Sequence, residues 1–171
     1  LHRILPLGEG RIFGSVPKHG DVAVFMHPHV NRVMIKRVIG LPGDRVQMRD
    51  EILYLNGEPV EADFVRRMRY VPHTQSSAVT ARETRETIDG TSWLSHQWDR
   101  TGLDDTAEFV VPEGHLFFMG DNRDNSTDAR EPSGHCPAID GVIAEAGCPP
   151  RVVPRNASVG FVPFDHLIGR A

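Results

Sequence analysis

No run in the 171 residues approaches the ~20 consecutive apolar side chains of a bilayer-spanning helix, which excludes such a span within this sequence. The front also lacks the basic stretch and apolar core of a secretory signal. A basic excess is missing too. Nineteen Lys and Arg stand against twenty-three Asp and Glu, for a net charge of −4. Nucleic acid is therefore not an expected partner, because its binding rests on phosphate neutralisation. The densest basic group, Arg66-Arg67-Met68-Arg69, is surrounded by Glu58, Glu61, Asp63 and Glu83, the pattern of a solvated face. Cysteine is scarce: Cys136 and Cys148 lie in one Pro- and Gly-rich stretch. Paired, they would staple that loop in an oxidising compartment; free thiols are the other reading. A zinc site there would lack ligands, even with His135. His27 and His29 likewise have no neighbouring carboxylate or thiol to complete a metal set, so neither metal nor cofactor is expected. The opening Leu1-His2-Arg3-Ile4-Leu5-Pro6 reads as the interior of a longer protein.

Strand signals dominate what is present. Residues 21–25, 31–39, 45–49, 51–55, 109–111 and 116–119 are short Val-, Ile- and Phe-rich or alternating segments. Asn56-Gly57 is a strong hairpin signal between the strand at 51–55 and Glu58-Pro59-Val60. Residues 164–168 suggest a short helical turn. The fold class expected is mostly β, with a core formed by residues 1–60 and 107–171. Residues 61–106, polar and weakly periodic, are assigned to a smaller inserted peripheral lobe, and 131–157 to a surface insertion. Trp93 and Trp98 would pack that lobe or touch a membrane surface. Asp99, Asp104 and Asp105 read as loop acids.

Two segments carry chemistry. In a strand, side chains alternate faces, so Lys36 shares one face with Met34 and Val38 while Arg37 shares the other with Ile35 and Ile39. One charge must then live among apolar neighbours, unless the strand lies at a sheet edge. Arginine stays charged, whereas a desolvated lysine gives up its proton and becomes a general base. An edge-strand lysine pointing into water is the competing reading. The second segment, Gly120-Asp121-Asn122-Arg123-Asp124-Asn125-Ser126-Thr127-Asp128-Ala129-Arg130, packs turn formers, carboxylates and arginines around one hydroxyl. Ser126 either closes its own turn or orients an amine. Asp128 and Arg130, two apart, would pair and rigidify the turn. A Ser-His-Asp triad drawn from His115 and Asp121 has only residue order in its favour.

Met34 to Asp44, with Lys36 in Met34-Ile35-Lys36-Arg37-Val38-Ile39-Gly40, resembles the lysine box of bacterial type I signal peptidases. Gly120 to Arg130 resembles their late box, and His19-Gly20-Asp21-Val22-Ala23-Val24-Phe25 the box before the lysine. The close, from Val159-Gly160-Phe161-Val162-Pro163 to Ala171, is similar as well. The resemblance implies a signal-peptidase-like antiparallel β core with an inserted β lobe. It implies a Ser/Lys endopeptidase that removes signal peptides from exported preproteins and needs no cofactor. Such an enzyme is held in the inner membrane by an N-terminal anchor, with this domain on the periplasmic side. By the same resemblance Lys36 is the general base, Ser126 orients its amine, and Asp128 and Arg130 form the supporting pair. Asp121 belongs to the same box, and Met34 and Ile35 line the pocket for the small residue before the cleaved bond. The family's nucleophile lies in a Ser-x-Met-x-Pro box, and no serine of this sequence is followed by that pattern. Inactivity of the chain by itself is therefore expected. Two alternatives stand beside this: a pilin-maturation-type peptidase, and a catalytically dead relative that binds exported peptides by strand addition.

Overall fold

The computed structural model describes residues 16–72, 74–131, 138–139, 142–143 and 159–171. They form strands β1 (Val22–Met26), β2 (Val33–Gly40), β3 (Arg45–Arg49), β4 (Ile52–Leu55) and β5 (Glu58–Pro59), then β6 (Glu61–Tyr70), β7 (Val79–Ile88) and β8 (Thr91–Gln97). The chain continues through β9 (Phe109–Val110), β10 (His115–Met119), β11 (Ala138–Ile139), β12 (Val142–Ile143), β13 (Val162–Pro163) and β14 (Leu167–Arg170). A 3-10 turn at Phe164–His166 precedes β14. The helical turn expected at 164–168 is thus shorter, and its last residues belong to a strand antiparallel to β1.

Tight turns set the registers. Asn56 and Gly57 both take positive φ, 55° and 89°, the mirror-image turn whose twist matches its flanking strands. Asp89 and Gly90 do the same between β7 and β8, at 49° and 77°. The strands assemble into a five-stranded sheet (β13-β10-β2-β1-β14), a four-stranded sheet (β5-β4-β3-β9), a three-stranded sheet (β6-β7-β8) and the β11-β12 pair. All paired strands run antiparallel.

The five-stranded sheet is buried on both faces, which explains why β10 reads as an unbroken apolar run rather than an alternation. On one face Phe117 and Met119 join Ile39 against Val46, Met48, Leu53, Phe109 and Val111, with Ile88 and Trp93 arriving from β7 and β8. On the other, Leu116 and Phe118 join Ala23, Phe25 and Val38 against Val159, Val162 and Leu167. Phe25 and Phe118 stack at 4.4 Å between centroids. Each fully buried side chain of this size stabilises the fold by about 1.5–3 kcal/mol.

Residues 61–106 hold long, regular strands where the sequence suggested weak periodicity. Buried positions on both faces are polar: Glu86, Ser95 and Gln97 share the face of Ile88 and Trp93, and Glu83 lies on the opposite face beside His96. Hydropathy alternation is erased there, although side-chain direction alternates normally. Arg66 and His96 satisfy Glu83, Arg123 and Ser95 satisfy Glu86, and Gln97 donates to Asp104. Asp104 is fully buried and also accepts from the Thr101 amide, so it organises its loop from inside. The Arg66–Arg69 stretch does lie on a largely exposed strand. Trp93 sits in the main core, and Trp98 packs edge-on against Tyr70. Cys136, Cys148 and most of 131–157 lie outside the described residues.

Candidate active site

Strand β2 lies between β10 and β1 in the five-stranded sheet. Lys36 stands just past the end of the β10 ladder, but its amine turns onto Ser126 and not into water. Its registers pair Ala23 with Lys36 and Phe118 with Val38. Lys36 therefore rises from the face that carries Ala23, Phe25, Val38 and Phe118, with half-buried Met34 beside it. Its Nζ donates to Ser126 Oγ at 2.6 Å, across ninety positions of sequence. Burial depresses the Lys36 pKa below its usual 10.5. The negative charges of Asp128 and Asp121 work against that shift and Arg130 adds to it, but desolvation dominates. This is the direction that turns an ammonium into a base.

Ser126 reaches the lysine because position 120 has no side chain. A Cβ on Gly120 would stand 2.5 Å from Ser126 Cβ and 3.4 Å from Lys36 Nζ. The Gly120 amide donates to Asp128 Oδ2 at 2.9 Å. Arg130 closes on the same carboxylate through its Nε and backbone N to Oδ1, and through its second guanidinium nitrogen to Oδ2. Both residues are essentially sealed from solvent, at 0% and 1% exposure. Burial alone would push the Asp128 carboxyl up; the Arg130 charge and these hydrogen bonds outweigh it and hold the pKa below 3.8. Arg130 also donates to the Arg123 carbonyl, tying the two ends of the loop together.

Asp121 takes both oxygens to Arg37, at 2.8 and 2.7 Å. Arg37 further donates to the Gly20 carbonyl and lies 5.0 Å from the centroid of the Trp93 ring. The sequence placed Arg37 on the face opposite Lys36 without naming its partner. The missed signal was that a half-buried arginine needs a carboxylate, and Asp121 follows directly on β10, the strand next to it. Asp121 being so engaged, the triad permitted by residue order is not formed. The ring of His115 bonds to the Glu113 carbonyl.

The 61–106 strands hold the loop from below, which sequence reasoning also missed. The His96 amide donates to the Asp121 carbonyl, and the Arg123 amide to the His96 carbonyl, forming a parallel bridge. Asp124 Oδ2 accepts from the backbone amides of Trp98 and Asp99. Burial raises the Asp124 pKa, and those amides offset only part of the rise. Asn122 donates to the Tyr70 hydroxyl, and Thr74 donates to Asn125.

Lys36, Ser126, Gly120 and Asn125 line an open cleft of about 340 Å³ with Ile35 on its rim, 59% exposed. Met34, on the same sheet face as Lys36, packs against the second core. The β10 ladder stops at Met119↔Arg37, so the described strands pair Val33–Lys36 with β1 but not with β10. A larger cleft, about 650 Å³, lies beside Arg67, Arg82 and Arg100. Its Arg82 is engaged by Glu51 and its Arg100 by Asp50 and Asp105, which leaves that cleft little free positive charge. Among the described residues no group of three or more His, Cys, Asp or Glu side chains has the arrangement of a metal site.

Known proteins resemble the chain along almost its whole length. The profile of the family described as signal peptidase, peptidase S26 matches residues 13–171. The signal peptidase I of Rickettsia akari (strain Hartford) is 33% identical over 178 residues, which cover 98% of this chain and 54% of that protein. The signal peptidase I of Rickettsia bellii (strain OSU 85-389) is 39% identical over 175 residues, covering 96% and 50%. This chain thus spans about half the length of the curated relatives it matches. A solved signal peptidase I from Enterococcus faecalis V583 aligns with 92% of the chain at 22% identity and a TM-score of 0.47. The profile match and the relatives above 30% identity both run nearly the whole length of the sequence, and so the chain belongs to the signal peptidase, peptidase S26 family.

Proposed function

We propose that this chain is the catalytic portion of a Ser/Lys endopeptidase that removes signal peptides from exported preproteins. The observation that carries the reading is the 2.6 Å contact of the desolvated Lys36 amine with Ser126. Lys36 is the general base and Ser126 orients it. The Asp128–Arg130 pair and the Asp121–Arg37 pair hold the loop, while Met34 and Ile35 border the substrate pocket. The nucleophilic hydroxyl comes from a Ser-x-Met-x-Pro segment, which no serine of these residues matches. Neutral Lys36 takes that hydroxyl's proton, the oxygen attacks the scissile carbonyl, and the proton passes to the departing amine. Water then hydrolyses the acyl-enzyme through the same base. A preprotein reaches such a site on the extracytoplasmic face of a membrane, with the enzyme anchored by a segment before the lysine box.

Cleavage of a preprotein with an Ala-x-Ala site tests the proposal. This chain alone is expected to be inactive, and the natural protein carrying the serine segment to be active. Lys36→Ala is expected to abolish that activity. Serine-box-independent cleavage by the isolated chain, lost in Ser126→Ala, would overturn the assignment of roles.

A second reading, peptide binding without cleavage, draws on the β10 ladder ending at Met119↔Arg37. That ending leaves backbone groups of residues 33–36 for an added strand. A full-length protein that binds signal peptides and never cleaves them would favour it. The pilin-maturation alternative differs only in substrate, and a preference for a pilin precursor over general preproteins would select it.

A further inference from the structure

Arg123 is the least exposed side chain in the Asp121–Thr127 stretch, at 2%, and it does not point at the lysine. Its guanidinium binds Glu86 Oε2 on β7. Glu86 is itself buried and is fixed through Oε1, which accepts from Ser95 Oγ at 3.0 Å. The backbone of Arg123 is held as firmly. Its amide donates to the His96 carbonyl at 2.9 Å, and its carbonyl accepts from Arg130 at 2.5 Å. Arg130 in turn grips Asp128, which takes the Gly120 amide directly beneath Ser126. A continuous set of buried polar contacts therefore runs from the middle of β7 to the hydroxyl that meets Lys36.

We infer that Glu86 is a positioning residue: by seating Arg123 it sets where the late loop holds the Ser126 hydroxyl against the Lys36 amine. The three-stranded sheet then does more than flank the core, because it fixes the geometry of the base from below. A surface ion pair would not do this, since exposed pairs contribute little and shift freely. A buried pair is different. Removing one partner leaves the other charge desolvated and unpaired, and the segment that carries it must move to water or distort.

The inference rests on the proposed role of Lys36, and the test separates the two. The side-chain amine of Lys36 is titrated by NMR in this chain and in Glu86→Ala and Glu86→Gln, with thermal unfolding recorded for each. Glutamine keeps an acceptor for Arg123 but not the charge, so its Lys36 titration should move less than that of the alanine variant. Alanine should open the loop, rehydrate the amine and move its titration upward by about one unit, a tenfold loss of neutral lysine near neutral pH. If Glu86→Ala does not fold, Glu86→Asp keeps the buried charge pair and draws the carboxylate back by one methylene, which should shift Arg123 and the loop it carries. That protein should fold and still show an upward shift. An unmoved Lys36 titration in a folded Glu86→Ala or in Glu86→Asp overturns the inference. An ordinary lysine titration in the unsubstituted chain would instead sink the proposed catalytic role.

Discussion

Asp128→Ala is the substitution whose consequence can be worked out most fully from the structure. It removes a carboxylate with no solvent exposure that accepts the Gly120 amide, the Arg130 amide and two guanidinium nitrogens of Arg130. The arginine left behind is 1% exposed and cannot reach water without moving the loop. Breaking a buried pair from one side costs about 3–5 kcal/mol, largely because a desolvated charge loses its partner. Against a total stability of roughly 5–15 kcal/mol, that loss brings the fold near its threshold. Asp128→Asn should fail for a related reason: its amide NH₂ must face either the Gly120 N–H or the Arg130 donors. Urea unfolding followed by far-UV circular dichroism measures both changes. The double variant Asp128→Leu with Arg130→Met should recover most of the stability, since neither charge is then stranded. An Asp128→Ala protein within about 1 kcal/mol of the parent would refute the reasoning, as that is what an exposed pair gives.

Acid sensitivity is expected from the same group. Asp128 and Asp44 have folded pKa values held below 3.8, so their contribution is fully present above that value and is lost as pH falls through the depressed ones. Urea midpoints should hold from about pH 6 to about pH 4 and then drop, and a flat profile down to about pH 2 would contradict the burial of these carboxylates. Lys36 gives the same sign of pH dependence in a more alkaline window. Its ammonium is disfavoured in the fold, so the penalty is relieved, and stability gained, as pH rises toward the ordinary 10.5. Gly120→Ala should cost about 1–3 kcal/mol through overpacking, because its Cβ would stand 2.5 Å from Ser126 Cβ. In the natural protein it should lower activity by displacing Ser126 from the lysine, and unchanged activity would count against the close approach.

Much of this arrangement was legible in the residues. Asn56-Gly57 announced its hairpin, and the Val- and Ile-rich runs announced β1 and β2. The alternation of β2 assigned Lys36 and Arg37 to opposite faces before any contact was known. The density of the Gly120–Arg130 segment likewise pointed to an organised turn. What escaped was set by tertiary context. The strands β7 and β8 bury Glu83, Glu86, Ser95 and Gln97 at positions where hydropathy predicts apolar residues, because the partners that make these groups tolerable come from other parts of the chain. Arg37 with Asp121 and Arg123 with Glu86 are such partnerships, eighty-four and thirty-seven positions apart. No local pattern encodes them. The final strand β14 was hidden by its shortness and by the 3-10 turn that leads into it.

The most direct test is the titration of the Lys36 side-chain amine, followed by NMR in this chain and in Ser126→Ala. A lysine that is dry and held by the late loop titrates below 10.5, and losing its hydroxyl partner at 2.6 Å should change that titration. An amine that titrates as an ordinary solvated lysine, and does so equally in both proteins, would contradict the account.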